Sequence, residues 1–503
     1  MTSSDIEHSE IRTVEGLLRG RREQAVHAFR AIPYAHPPIG ELRFAAPQPH
    51  PTWDGVRDAL ANGPVAPQGK SRLVKVMGDF ERPQSEDCLT LNVWTPAPDA
   101  AGRPVMVWLH GGAYVSGAGS LDWYDGSALA ARGDLVVVSV NYRLGALGFL
   151  RLAGVAEGNM GLLDEIEALR WVKRNIAAFG GDPDKVTVFG QSAGGAAIAA
   201  MLTMPAATGL FRQAILQSPA MGRPTRPAPE ANELGERFRA LLGVDRGPDC
   251  ATVMRALPVE RLLEAQGRLA RELHTPTFAS LPFMPVTDGR HIKEPVTTTL
   301  AAGSAAGVPT LIGTTREEMA AFFCTDPTLA NADDAMLRQV FEATLGKGFE
   351  AHLADYRRSR TSTANAALLG DLLSDAVFRI GSLQFALAQA AHGTPCWVYQ
   401  FDWQSPRGFE ACHCIEIPFV FGNPDAWRDA PMVEGIDMAT RDGLTRAMQD
   451  AWIAFARTGD PNHDALPHWA PYESTRRTTM RFDRVSGPID DLAGIGWREP
   501  WPG

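Results

Sequence analysis

Basic side chains are in the minority in this chain of 503 residues: 48 lysines and arginines stand against 58 aspartates and glutamates, a formal net charge of −10. Affinity for nucleic acid or anionic membranes rests on clustered lysine and arginine, so neither partner is expected. No apolar run reaches the roughly eighteen residues of a membrane-spanning helix. The first ten residues lack the basic start and apolar stretch of an export signal, so a cytoplasmic protein is expected. Cysteine is scarce, at positions 88, 250, 324, 396, 412 and 414, too scattered for a disulfide framework. There is no Cys-x-x-Cys pair, which argues against a structural zinc site. In the triplet Cys412-His413-Cys414, extended backbone would point the thiols one way and the imidazole the other, so no metal is expected there either. Repeats and low-complexity tracts are also missing.

What is present is ordinary globular material, 45% hydrophobic and 21% charged, enough for a large core. Short apolar runs at 105–109, 135–140 and 186–189 suit buried strands of a mostly parallel sheet, and 214–216, 310–312 and 397–401 extend the series. Between 162 and 179, Leu163, Ile166, Leu169, Val172 and Ile176 recur at helical spacing, and Gly180-Gly181-Asp182-Pro183 closes that helix. A small-residue helix is expected at 196–201 and a long amphipathic one at 437–458. Strands alternating with helices predict an α/β protein. The segments 224–272 and 332–393 read as helical insertions outside the sheet.

Two motifs carry chemistry. Gly190-Gln191-Ser192-Ala193-Gly194 follows the strand 186–189 and precedes the small-residue helix, the context of a nucleophile elbow. A sharp turn there puts the serine in a strained conformation, with the positive end of the helix beneath it. His110-Gly111-Gly112-Ala113-Tyr114 stands directly after the strand 105–109. A glycine-rich turn at a strand end offers backbone N–H groups to a developing oxyanion with no side chains in the way.

With these motifs in hand, the chain resembles the type-B carboxylesterases, the α/β-hydrolase branch that includes cholinesterases and bacterial p-nitrobenzyl esterases. The likeness runs nearly end to end, through Phe29-Arg30-Ala31-Ile32-Pro33-Tyr34-Ala35, Ser85-Glu86-Asp87-Cys88-Leu89, Asn141-Tyr142-Arg143-Leu144-Gly145, Gly161-Leu162-Leu163-Asp164 and Phe455-Ala456-Arg457-Thr458-Gly459-Asp460-Pro461. It implies a single α/β-hydrolase domain over 1–503, with helical insertions near 224–272 and 332–393. It matches Ser192 to the family nucleophile. The family acid falls in Gly313-Thr314-Thr315-Arg316-Glu317-Glu318-Met319 on Glu318, with Glu at 317 and Met at 319 as departures. The family histidine precedes Glu416-Ile417-Pro418-Phe419-Val420-Phe421-Gly422 and falls on His413. By motif position, the oxyanion donors are the N–H groups of Gly112, Ala113 and Ala193. Arg43 with Glu86, and Arg143 with Asp164, match family salt bridges. Cys88 matches a cysteine that secreted members bridge to an earlier one; no cysteine precedes it here, so a free thiol is expected. No tryptophan lies between Trp53 and Trp94, where cholinesterases hold choline by cation–π attraction, so a choline esterase is not expected.

The implied activity is serine-dependent hydrolysis of a small carboxylic ester through an acyl-enzyme, with a Ser-His-Glu triad and no metal or organic cofactor. The same triad serves amidases and acyltransferases. The fold also hosts neuroligin-like binding proteins, but those typically lose a triad position, and here all three are filled. No particular oligomeric state is implied.

Overall fold

The computed structural model describes residues 7–274, 281–359 and 362–491. A 13-stranded sheet forms its centre. Val136–Val140, Arg103–Leu109, Gly181–Gln191, Gln213–Gln217, Thr310–Thr315, Cys396–Phe401 and Thr479–Phe482 lie side by side in that order, all parallel. Thr90–Thr95 and Val26–Pro33 continue the sheet antiparallel on one side, and Gly487–Ile489 closes it on the other. Each expected strand is present; that expected at 135–140 begins one residue later, at Val136, and the others are extended by one to several residues.

The period of two along these strands divides the apolar residues between two faces. Val105, Val107 and Leu109 join one core with Val136, Val138 and Val140, covered by Leu162, Ile166 and Leu169 of the helix Met160–Asn175 and by the helix Ala193–Met201. Met106, Trp108 and Val137 point the other way, under Leu444, Met448 and Trp452 of the helix Met438–Thr458. Burial on both faces is why the strands read as continuous apolar runs with no alternation. Asp437 caps that last helix by accepting from the Thr440 N–H.

The segment 224–272 folds as the helices Ala228–Leu241, Cys250–Ala256 and Val259–Glu272. In 332–393, the helices Asp334–Leu345, Phe349–Ser359 and Asn365–Ser374 build a separate apolar cluster from Leu337, Phe341, Leu353 and Leu372. The final helix of that stretch, Ile380–Ala391, is not peripheral. Phe385 and Ala386 pack with Ile312 and Val398 against the sheet, because it is the crossover between the parallel strands Thr310–Thr315 and Cys396–Phe401.

Buried ion pairs tie the connections together. Asp164 accepts from Nε, Nη2 and the backbone N–H of Arg143 at 2.8, 2.7 and 3.1 Å, and Arg143 Nη1 donates to the Ala45 carbonyl at 2.8 Å. Arg43 pairs with Glu86 and also donates to the carbonyls of Arg255 and Leu257, fastening the N-terminal region to the helical insertion. Removing one partner of such a pair leaves a stranded buried charge, at a cost of about 3–5 kcal/mol. Cys88 is a buried free thiol, and none of the described cysteines is bridged.

Candidate active site

Parallel strands end at a common edge, and that edge collects the sequence-derived candidates. Ser192 follows Gly181–Gln191 at φ 57° and ψ −119°, a conformation that L-residues rarely adopt. The strain persists because the turn is fixed on both sides. The Ser192 N–H donates to the Gln217 carbonyl on the neighbouring strand at 2.8 Å, and its carbonyl accepts from Ala196 at 2.9 Å. The helix also lies tight against the sheet: a Cβ on Gly194 would sit 2.1 Å from the Leu109 carbonyl oxygen.

The turn after Arg103–Leu109 is as constrained. Gly112, Ala113 and Tyr114 have successive positive φ values of 114°, 56° and 61°. A Cβ on Gly112 would meet the Ser116 carbonyl oxygen at 1.9 Å, so no larger residue fits this backbone. The result is a concave stretch with its N–H groups left over. Those of Gly112, Ala113 and Ala193 have no acceptor among the described residues. His110 has a structural part. Burial pushes its pKa down to about 4, so it is neutral, and it stacks on Tyr142 at 4.3 Å.

His413 and Glu318 meet at 2.5 Å, imidazole Nδ1 to carboxylate Oε2, with both side chains buried. Glu318 Oε1 accepts from the Thr315 N–H at 2.8 Å. The adjacent carboxylate turns elsewhere: Glu317 pairs with Arg316 at 2.9 Å and accepts from the Ala411 N–H at 3.0 Å. Burial raises the Glu317 pKa. The Glu318 turn is anchored from behind by Arg379, which donates to the Arg316 carbonyl at 2.6 Å, and by Ser374 Oγ, which accepts from the Met319 N–H at 3.1 Å. Arg379 belongs to a π-helical turn, Asp375–Arg379, whose Phe378 ring packs on the His413 imidazole at 4.8 Å. Phe322 flanks the same imidazole at 5.5 Å.

The third meeting is not the one the motif suggests. His413 Nε2 lies 3.1 Å from the Gln191 side-chain nitrogen, so the amide N–H donates to the ring while the Nδ1 proton goes to Glu318. No hydrogen bond joins Ser192 and His413 directly, although both line one cavity of about 850 Å³. Gln191, Phe322 and Phe378 were missed by sequence reasoning. Gln191 stood inside the elbow motif as a variable position, and the two phenylalanines carry no local signal. Beneath the site, Glu416 is fully buried and accepts from Gln217 Nε2 at 3.1 Å; burial and the nearby Glu318 charge push its pKa up to about 7. Among the described residues there is no cluster suited to a metal ion, and the Cys412 and Cys414 thiols are buried and free.

A parallel sheet with a strained serine at a strand-to-helix turn, a buried His–carboxylate pair and unclaimed N–H groups at the same edge defines an α/β-hydrolase. The carboxylesterase family model matches residues 7–490. The chain is similar to a para-nitrobenzyl esterase of Bacillus subtilis (strain 168), with 41% identity covering 95% of each chain. It is also similar to a phenmedipham hydrolase of Pseudarthrobacter oxydans, with 40% identity covering 92% of each. A solved carboxylesterase from Geobacillus stearothermophilus superposes with a TM-score of 0.87 at 38% identity, covering 98% of this chain and 100% of that one. The chain belongs to the carboxylesterase family and is an ester hydrolase. No described helix is long and apolar enough to cross a membrane.

Proposed function

We propose that the protein hydrolyses small carboxylic esters through an acyl-enzyme formed on Ser192. The observation that carries this reading is the short bond from His413 to Glu318 at the wall of the cavity that holds the strained Ser192. In the resting state the Gln191 amide occupies the lone pair of His413 Nε2. When a substrate acyl group docks, the Ser192 hydroxyl takes that position, and such contacts commonly tighten only in the complex. His413 then removes the hydroxyl proton as Ser192 Oγ attacks the acyl carbon. Glu318 holds the Nδ1–H tautomer and stabilises the imidazolium. The oxygen that gains negative charge faces the N–H groups of Gly112, Ala113 and Ala193. Collapse of the tetrahedral species returns the proton to the leaving alcohol. Water repeats the sequence to free the acid and restore Ser192.

In this reading 1–503 is one α/β-hydrolase unit acting in the cytoplasm, where the buried Cys88 thiol stays reduced. Ser192→Ala should lower kcat on a p-nitrobenzyl ester by about 10⁴–10⁶-fold with an unchanged melting temperature. Near-normal turnover by the folded variant would reject Ser192 as nucleophile.

A further inference from the structure

The donors that face the oxyanion are backbone groups, so they are aimed by whatever fixes their peptide planes. In a planar trans peptide the C=O and N–H point opposite ways, and holding one aims the other. The Ala113 N–H shares its plane with the Gly112 carbonyl, which accepts from the N–H groups of Val115 and Ser116 at 3.0 and 3.1 Å. The start and middle of the turn are tied as well. The His110 carbonyl accepts from the Tyr142 hydroxyl at 2.7 Å, and the Tyr114 carbonyl from the Gly145 N–H at 2.7 Å. Gly117, at the far end, has no backbone partner for its N–H or its carbonyl among the described residues.

One side chain holds that end. Gln68 Oε1 accepts from the Gly117 N–H at 2.6 Å, and Gln68 Nε2 donates to the Gly117 carbonyl at 2.9 Å. The amide is buried, and Nε2 gives its second proton to the Ala66 carbonyl at 3.0 Å. The Gly117 N–H lies in one plane with the Ser116 carbonyl, whose oxygen is the atom that a Cβ on Gly112 would meet at 1.9 Å. Gln68 therefore sets how closely the end of the turn presses on Gly112. Gln68 is itself anchored away from the site. Its N–H donates to Gln84 Oε1 at 2.8 Å, the Val65 N–H to the Pro83 carbonyl at 2.9 Å, and the Ser85 N–H to the Val65 carbonyl at 3.0 Å. These bonds close the base of the segment 69–82, whose Leu73, Met77 and Phe80 line the cavity.

We propose that Gln68 is a positioning residue for the oxyanion donors: its amide holds both polar groups of Gly117 and so keeps the Gly112–Ala113 peptide where negative charge develops. This rests on the acyl-enzyme reading above and adds the group that aims its backbone donors. An amide suits the task because one side chain supplies a donor and an acceptor together, as a neighbouring strand would. Without it the Gly117 N–H and C=O lose their partners, and the end of the turn is free to move off Gly112.

The test uses the full chain and two matched ketones. With 1,1,1-trifluoro-4-phenylbutan-2-one, Ser192 Oγ adds to the carbonyl carbon, the hydroxyl proton passes to His413, and the carbonyl oxygen becomes the anion that faces the donors. With 4-phenylbutan-2-one the same cavity is occupied and no anion forms. Wild type should bind the fluoroketone at least about 10²-fold more tightly than the methyl ketone. Gln68→Met keeps the length of the side chain and removes its polar end. It should lower kcat on a p-nitrobenzyl ester by about 10–10²-fold, with KM within about threefold of wild type. Its Ki for the fluoroketone should rise by about the same factor while that for the methyl ketone stays within about threefold, a split that general loosening of the fold does not produce. Gln68→Glu keeps an acceptor for the Gly117 N–H and should fall between Gln68→Met and wild type; if Gln68→Met does not fold, Gln68→Glu decides by the same comparison. A kcat within about threefold of wild type in the folded variants, or equal losses on both ketones, would overturn the proposal. A fluoroketone that binds wild type no better than the methyl ketone would overturn the acyl-enzyme reading and the proposal with it, so the two failures are distinguishable.

Discussion

Substituting alanine for one glycine or another should have opposite effects at two helical positions, and the space around each decides the sign. Gly443 lies within the helix Met438–Thr458, and a Cβ there would meet nothing within 4 Å. Gly443→Ala should therefore stabilise the protein by about 0.5–1 kcal/mol, the ordinary gain in helix propensity. Gly194 lies in the first turn of the helix behind Ser192, where the added carbon would fall 2.1 Å from the Leu109 carbonyl oxygen and 2.7 Å from its carbon. Neither atom belongs to a flexible side chain, so the helix must back away from the sheet by roughly 1 Å. Overpacking of this kind costs about 1–3 kcal/mol, which outweighs the propensity gain. The larger effect is on chemistry. A displacement of that size moves Ser192 and the Ala193 N–H together, and misplacement by about 1 Å typically costs around 10²-fold in rate. Melting temperature and kcat on one p-nitrobenzyl ester, measured for both variants, make the comparison. A Gly194→Ala protein as stable as Gly443→Ala, with kcat within about threefold of wild type, would refute the claim that close packing holds the elbow.

Two other outcomes follow from the carboxylates. Glu318→Gln should lower kcat by about 10³–10⁴-fold, whereas Glu317→Gln, whose amide oxygen can still accept from Ala411, should stay within about tenfold; equal activities would contradict the assignment. Glu416 holds its proton in the folded state up to about pH 7 but releases it near pH 4.5 when unfolded, so the native state binds the extra proton and loses stability as pH rises between those values. The loss reaches about 3 kcal/mol, and Glu416→Gln removes it. The melting temperature of Glu416→Gln relative to wild type should thus improve from pH 5 to pH 8, and a constant difference would remove Glu416 from the account.

The features legible in the sequence are those set by local sterics. The elbow at 190–194 and the turn at 110–114 announce themselves because glycine is required where backbone passes within contact distance of backbone. The buried strands read as apolar runs for the same short-range reason. Glu318 and His413 are 95 positions apart and were placed only by likeness to a family, since no period or spacing relates them. Their neighbours were not legible at all. The contact of Gln191 with His413 depends on side-chain rotamers at the meeting of two distant segments. Phe378 reaches the imidazole from a π-helical turn that no propensity marks. The helix Ile380–Ala391 was misplaced because its apolar pattern resembles that of its peripheral neighbours. Only the parallel pairing of the flanking strands fixes it on the sheet.

Covalent labelling tests the central claim most directly. A fluorophosphonate probe incubated with the native protein, followed by proteolysis and mass spectrometry, should place one adduct per chain on Ser192, and none should form on heat-unfolded protein or on His413→Gln. An adduct on another serine, or labelling of Ser192 that is indifferent to unfolding and to the loss of His413, would contradict it.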